Sequence, residues 1–245
     1  MKVFNTLVGA ADLAHHLHDA RWRVFDCSFD LVHPHAGELA YREVHIPGAI
    51  YAHLERDLSG PLTGRNGRHP LPDPARFAAR LSEWGVGNDT QVVVYDDAGG
   101  TYAGRMWWML RWLGHDAVAL LDGGINAWEA AGYETSDAET KHPHAVFVPR
   151  LRPEMAVDVR YVESQSARDG VRLLDARNPQ RFRGENETLD PVAGHIPGAV
   201  HLFLPELREK SAALAKETPV AVYCDSGYRA SIGASISAQR SRWCR

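Results

Sequence analysis

The chain repeats itself, and the repeat limits what it can fold into. His45-Ile46-Pro47-Gly48-Ala49 returns as His195-Ile196-Pro197-Gly198-Ala199, and Phe25-Asp26-Cys27, ending one apolar run, returns as Leu174-Asp175-Ala176, at offsets of 150 and 149 residues. Two stretches with the same punctuation at the same spacing are two copies of one plan, so the 245 residues divide into two similar domains. A third echo aligns Val94-Tyr95-Asp96 with Val222-Tyr223-Cys224. The second half carries a sulfur where the first carries a carboxylate, and only the second can use a thiol at that point.

Each half alternates strand and helix patterns. In the first, residues 23–25 and 92–95 are short strands too apolar to keep a solvent-facing side, which implies a parallel sheet covered by helices. Between them, residues 74–84 place Phe77, Leu81 and Trp84 at helical spacing and stop at Gly85 and Gly87. Residues 102–113 read as a strongly apolar helix, 117–121 as a strand, and 125–130 as a last helix closed at Gly132. Trp107, Trp108 and Trp112 fall inside the apolar helix and are read as packing, not as a ligand box. The period is lost between Ser136 and Pro153, so the domains are drawn as 1–137 and 154–245 with a linker over 138–153. The second half restarts with a helix over 159–168, a strand over 171–174, the second HIPGA turn, a helix over 205–215 and the strand 220–223. This alternation gives the α/β class twice over.

Composition bounds the partners. With 44% hydrophobic and 24% charged residues the chain can fill two ordinary cores. A formal net charge of −4 with interspersed signs offers no basic face, so nucleic acid is not an expected partner. No run of about eighteen apolar residues occurs, and the N-terminus lacks a basic stretch followed by a long apolar one. No membrane partner is expected, and a cytoplasmic location is. Three cysteines without paired spacing speak against a disulfide scaffold and against a zinc ribbon. The groups His15/His16/His18, His33/His35 and His142/His144 have no carboxylate or thiol at ligand spacing in the sequence, so neither metal nor cofactor is expected.

Cys224 closes the apolar strand and opens the loop Cys224-Asp225-Ser226-Gly227-Tyr228-Arg229, followed by helix-compatible small residues from Ala230. A thiolate there faces unpaired backbone N–H groups and the positive end of a helix dipole. Helix-end electrostatics of about 0.3–2 kcal/mol lower a thiol pKa by roughly 0.2–1.5 units, and Arg229 adds to the effect. The alternative is that Cys224 is a small buried apolar residue. Aspartate, serine, glycine and arginine make poor core filler, however, and good material for a turn that cradles an anion.

The doubled HIPGA turn, Asp175-Ala176-Arg177 followed by Arg181-Phe182-Arg183-Gly184, Leu121-Asp122-Gly123-Gly124 with Trp128, and the cysteine loop together resemble the tandem-domain rhodaneses, the thiosulfate and 3-mercaptopyruvate sulfurtransferases. The resemblance covers nearly the whole chain. It implies two rhodanese-like domains, each a parallel sheet flanked by helices, with the cysteine in the second alone. It further implies that Cys224 is the catalytic nucleophile, carrying sulfur as a persulfide from a small anionic donor to cyanide or another thiol. Arg181 matches the family's substrate-binding arginine; its alternative is a solvated surface cation, and charge reversal there is expected to raise KM far more than it disturbs folding. Arg177 is expected in a structural ion pair. Asp225, Ser226, Gly227, Tyr228 and Arg229 complete the substrate-binding loop. In the mercaptopyruvate branch the third loop residue, here Ser226, works with a histidine and an aspartate; His45 is a candidate for the histidine, although a histidine in such a turn is ordinarily structural.

Two departures accompany the resemblance. The loop is neither the Cys-Arg-Lys-Gly-Val-Thr of thiosulfate enzymes nor the Cys-Gly-Ser/Thr-Gly-Val of mercaptopyruvate enzymes, which leaves the donor open between the two. Asp225 is expected to face outward or to bond loop N–H groups, since a carboxylate aimed at the sulfur would oppose the thiolate. From Asp96 to Gly132 the first half spends 36 residues, whereas 21 separate Cys224 from Arg245, so the second domain is expected to be truncated by a strand and a helix at its C-terminus. Two other function classes stand beside the transferase. A cysteine phosphatase needs one more residue between cysteine and arginine than the four found here. A catalytically silent sulfur carrier or regulatory binding module would keep the fold without the geometry.

Overall fold

The computed structural model describes residues 3–64, 66–166, 172–188, 192–203 and 220–223. It falls into two units, one of residues 1–63 and 69–152 and one of residues 64–68 and 153–245.

The first unit runs β1 (Leu7–Val8), α1 (Ala10–His16), β2 (Trp22–Asp26), α2 (Ala36–Glu43), β3 (Ile50–Tyr51), α3 (Pro74–Glu83), β4 (Gln91–Tyr95), α4 (Ala103–Trp112), β5 (Val118–Leu121) and α5 (Gly124–Ala130). Its strands form one sheet in the order β1-β5-β4-β2-β3, every pairing parallel. β2 and β4 are buried along their whole lengths, as strands covered on both faces by crossover helices must be.

The helices that cover the sheet are written in local signals. Asp73 caps α3 by accepting the Arg76 N–H at 2.9 Å, Pro74 fits the first turn, and Gly85 at φ 73° lets the chain leave. Phe77 and Leu81 point inward from α3, each contributing about 1.5–3 kcal/mol by burial. α4 is buried at every position except Arg111. Trp107 donates its indole N–H to the carbonyls of Val118 and Asn5, and Trp108 stacks on Trp112 at 5.9 Å, so the tryptophan block is core.

β1, α1 and α2 have no counterpart in the sequence reading. α1 gives only Leu13 to the core, and α2 only Gly37 and Tyr41, too few apolar positions to set up a helical period. The stretch over 138–152 carries no helix or strand and is laid along the first unit. Phe147 is buried, Ala145 and Phe147 donate their N–H groups to the Ser82 carbonyl and hydroxyl, Val148 exchanges bonds with Asn88, and Arg150 and Arg152 donate to the carbonyls of Leu113 and Trp112.

The second unit repeats the centre of this design with α6 (Val159–Ser166), β6 (Arg172–Asp175), α7 (Pro179–Arg183), β7 (Val200–His201) and β8 (Val220–Tyr223). The sheet order is β7-β6-β8, again all parallel. Asp26 lies opposite Tyr51 and Tyr95; Asp175 lies opposite His201 and Tyr223. Both HIPGA turns close in the same way, Ala49 N–H to Ile46 at 2.9 Å and Ala199 N–H to Ile196 at 3.0 Å, with Gly48 and Gly198 at φ 80° and 82°. Only glycine takes that conformation without strain. The helix expected over 205–215 and the C-terminal stretch 224–245, for which a truncation was expected, lie outside the described residues. Among the described residues no helix is long and apolar enough to cross a membrane.

Candidate active site

Ligands of parallel α/β sheets bind beyond the carboxyl ends of the strands. In the second unit those ends are Asp175 of β6 and Tyr223 of β8, and Cys224 follows β8 with no residue between. Cys224 and the loop residues Asp225, Ser226, Gly227, Tyr228 and Arg229 lie outside the described residues. The first unit holds the copy of that position. Tyr95 occupies the register place of Tyr223, which puts Asp96 in the place of Cys224 and, three residues on, Gly99 in that of Gly227.

The first-unit loop is an anion cradle. Asp96 is 1% exposed, and its carboxylate accepts four backbone N–H groups: Ala98 at 2.9 Å and Gly100 at 2.7 Å on Oδ1, Tyr102 at 2.7 Å and Ala103 at 2.8 Å on Oδ2. The donors converge because Gly99 and Gly100 take φ 67° and 87°, folding the loop over the strand end, and because α4 begins at Ala103 with its first N–H groups unpaired within the helix. A charge-assisted bond of this kind contributes about 1.5–3 kcal/mol. This turn therefore binds a negative charge with backbone alone.

Arg181 is not a surface cation. It is 7% exposed, sits in the short helix α7 that starts at the Asn178 cap and Pro179, and donates Nε to Glu187 Oε2 at 2.9 Å. Reversing its charge would set a second carboxylate against Glu187 in a buried place, so that substitution disturbs folding as well, contrary to the sequence-based expectation. Arg177 makes the structural pair, gripping Asp175 at 2.7–3.1 Å and the Gly194 carbonyl.

The histidines divide by role. His45 is fully buried and stacked on Tyr41, with Nδ1 on the Tyr41 carbonyl at 2.6 Å and Nε2 facing the Ala138 carbonyl at 3.1 Å. Both nitrogens are engaged in holding the turn, which corrects its candidacy as an acid–base partner of Ser226. His195 is its counterpart, stacked on Phe182 with Nδ1 on the Phe182 carbonyl at 2.7 Å. His53 and His69, buried beyond β3 of the first unit, were not singled out by the sequence, because they stand in aperiodic loops.

His35, Glu38 and His53 bring three ligand-type atoms within 4.8 Å of one another, a carboxylate neighbour that sequence spacing did not reveal. Glu38 is shared by Arg42 at 3.0 Å and Arg56 at 3.4 Å. His53 Nδ1 accepts the N–H groups of Glu55 and Arg56, and burial, followed by the Arg56 charge, holds the ring pKa down. A neutral ring accepting at Nδ1 carries its proton on Nε2, so this group is a poor cation ligand set.

Cys27, the thiol among the described residues, is inert. Burial pushes its pKa up, and the charges of Asp26, Asp96 and Asp57 push the same way.

A model of the rhodanese-like domain family matches residues 9–131 and 158–242, both halves of the chain. The chain belongs to the rhodanese family. A probable 3-mercaptopyruvate sulfurtransferase of Pseudomonas aeruginosa is 45% identical over 242 residues, covering 91% of this chain and 85% of that one. A thiosulfate sulfurtransferase of Gallus gallus is 32% identical over 229 residues, covering 85% and 77%. The crystal structure of the 3-mercaptopyruvate sulfurtransferase SseA from Escherichia coli matches with a TM-score of 0.83 at 30% identity, covering 98% of this chain and 95% of that one. Within this rhodanese, the family matches bracket two units that share strand register and turn geometry, and they fall on either side of the aperiodic strap.

Proposed function

We propose that this rhodanese is a sulfurtransferase that moves a sulfane sulfur from thiosulfate or 3-mercaptopyruvate to cyanide or a thiol through a persulfide on Cys224. The observation that carries the reading is the Asp96 cradle: at the register position of Cys224, the first unit's turn already holds a negative charge with four N–H donors. With a cysteine in that place the same turn favours the thiolate, and then the persulfide anion.

In the first half-reaction the thiolate attacks the donor's terminal sulfur: with thiosulfate the S–S bond breaks and sulfite leaves, and with 3-mercaptopyruvate the C–S bond breaks, its electron pair leaves on the enolate of pyruvate, and the enolate takes up the proton given up by the donor thiol. In the second, the acceptor attacks the outer sulfur, the persulfide bond breaks, and the thiolate returns. Arg181 and Arg229 supply positive charge for the anionic donor. With them, Asp225, Ser226, Gly227 and Tyr228 are assigned to donor binding. Incubation with cyanide and each donor in turn tests this. Thiocyanate is expected from the wild-type protein and is expected to vanish in Cys224→Ser with the fold intact by circular dichroism. A folded wild-type protein that yields no thiocyanate from either donor would leave the silent carrier or binding module as the better account.

A further inference from the structure

The pair Arg181–Glu187 is built at a cost that fold stability alone does not explain. The Arg181 and Glu187 side chains are 9% and 4% exposed, and removing two charges from water costs several kcal/mol per ion before their attraction is counted. The same turn contains a solvated pair for comparison: Arg183 and Glu185 meet at 2.8 Å with both side chains 53% exposed. Between the two pairs stands Asn186 at φ 50°, the one residue other than glycine with positive φ among the described residues. Helix α7 ends at Gly184, φ 78°, and the left-handed step at Asn186 then returns Glu187 to the side chain six positions earlier. Uncommon backbone and a buried charge pair, both directed at one guanidinium, are the marks of a site held in shape for a ligand. Arg177 is the more distant partner, its Nη1 3.9 Å from Glu187, and is held chiefly by Asp175 at 2.7 Å.

We propose that Glu187, placed by Asn186, is a positioning residue for donor binding: by accepting from Nε it fixes the guanidinium plane of Arg181, so that the arginine meets the donor's anionic group in one orientation. The proposal rests on the reading of Arg181 as the donor-binding cation. A guanidinium recognises oxyanions through coplanar donors, so its plane governs its usefulness. Without the Glu187 acceptor the guanidinium keeps its charge and loses the contact at Nε that sets its plane, which weakens donor capture while sparing the later transfer to the acceptor.

Steady-state thiocyanate formation at saturating cyanide, with thiosulfate varied, separates these effects. Glu187→Ala is expected to raise the donor KM about 10- to 100-fold, the loss of one charge-assisted bond, with kcat changed less than about twofold. Glu187→Gln keeps an acceptor oxygen and is expected to stay within about fivefold of wild type. Asn186→Gly, which tolerates positive φ, should leave KM unchanged, whereas Asn186→Val should raise it as Glu187→Ala does. This second pair leaves the carboxylate in place and decides the matter if the alanine variant does not fold. An unchanged KM in both Glu187→Ala and Asn186→Val, or equal rises in Glu187→Ala and Glu187→Gln, would overturn the positioning role. Intact mass after thiosulfate treatment is read in parallel. A wild-type protein that gains no sulfur on Cys224 would overturn the underlying reading and the proposal with it, whereas a persulfide with unmoved KM values overturns the proposal alone.

Discussion

Two aspartates at matching strand ends, Asp26 and Asp175, sit in opposite electrostatic settings. Asp175 is fully buried and gripped by Arg177, while at the same register Asp26 accepts the Ser28 N–H at 2.8 Å and, among the described residues, is paired with no arginine. Burial is the main reason that the Asp26 carboxyl is pushed up from 3.8 to about 6. The folded chain thus holds this proton more tightly than the unfolded chain does. The stabilisation is fully present below about pH 4 and is lost as pH rises through about 6, a cost near pH 7 of roughly 3 kcal/mol at about 1.4 kcal/mol per unit. The melting temperature of the wild-type protein is therefore expected to fall between roughly pH 4 and 6, and Asp26→Asn to flatten that fall and melt higher at pH 7. An identical pH slope in the variant, followed by calorimetry, would place the titration elsewhere. The sequence aligned Asp26 with Asp175 through the repeat; the missing arginine is visible as Ser28 in place of Arg177, but its consequence needs the burial.

Among the elements, those with an apolar period were legible and those without it were not. α3 declared itself through Asp73, Pro74, Phe77, Leu81 and Gly85, and α4 through continuous apolar sequence. α2 hid because its contribution to packing is an absence of side chain. At Gly37 a Cβ would run into the Ser28 carbonyl, which already accepts the Tyr51 hydroxyl at 2.9 Å, and would meet that hydroxyl at 2.8 Å. Helix propensity favours alanine over glycine by about 1 kcal/mol, and overpacking costs about 1–3 kcal/mol. Packing wins, so Gly37→Ala should lower the melting temperature despite its better helix former. A higher melting temperature would mean that α2 can slide from Ser28 without loss. The strap over 138–152 was equally hidden from periodicity, since its anchors are backbone bonds to Ser82, Asn88, Trp112 and Leu113 that leave no pattern in hydrophobicity.

Across the whole chain, a duplicated α/β unit carries a carboxylate after one strand and a thiol at the corresponding sequence position of the other. The repeat made this readable: offsets of 149 and 150 residues pair Asp26 with Asp175 and the two HIPGA turns, and an offset of 128 pairs Tyr95 with Tyr223, whose observed registers agree, and so sets Asp96 against Cys224. What the sequence could not supply was the number and direction of the donors around Asp96, the burial of Arg181 with Glu187, and the engagement of both nitrogens of His45. Each of these depends on chain segments far apart in sequence or on a backbone angle. Whether Cys224 carries the transferred sulfur is read out by intact and peptide mass spectrometry after brief treatment with thiosulfate or 3-mercaptopyruvate. One added sulfur atom on the peptide containing Cys224, removed by cyanide and absent in Cys224→Ser, with the peptide of the buried Cys27 unchanged, is the predicted result. An unmodified Cys224 peptide, or sulfur retained by the Cys224→Ser variant, would contradict it.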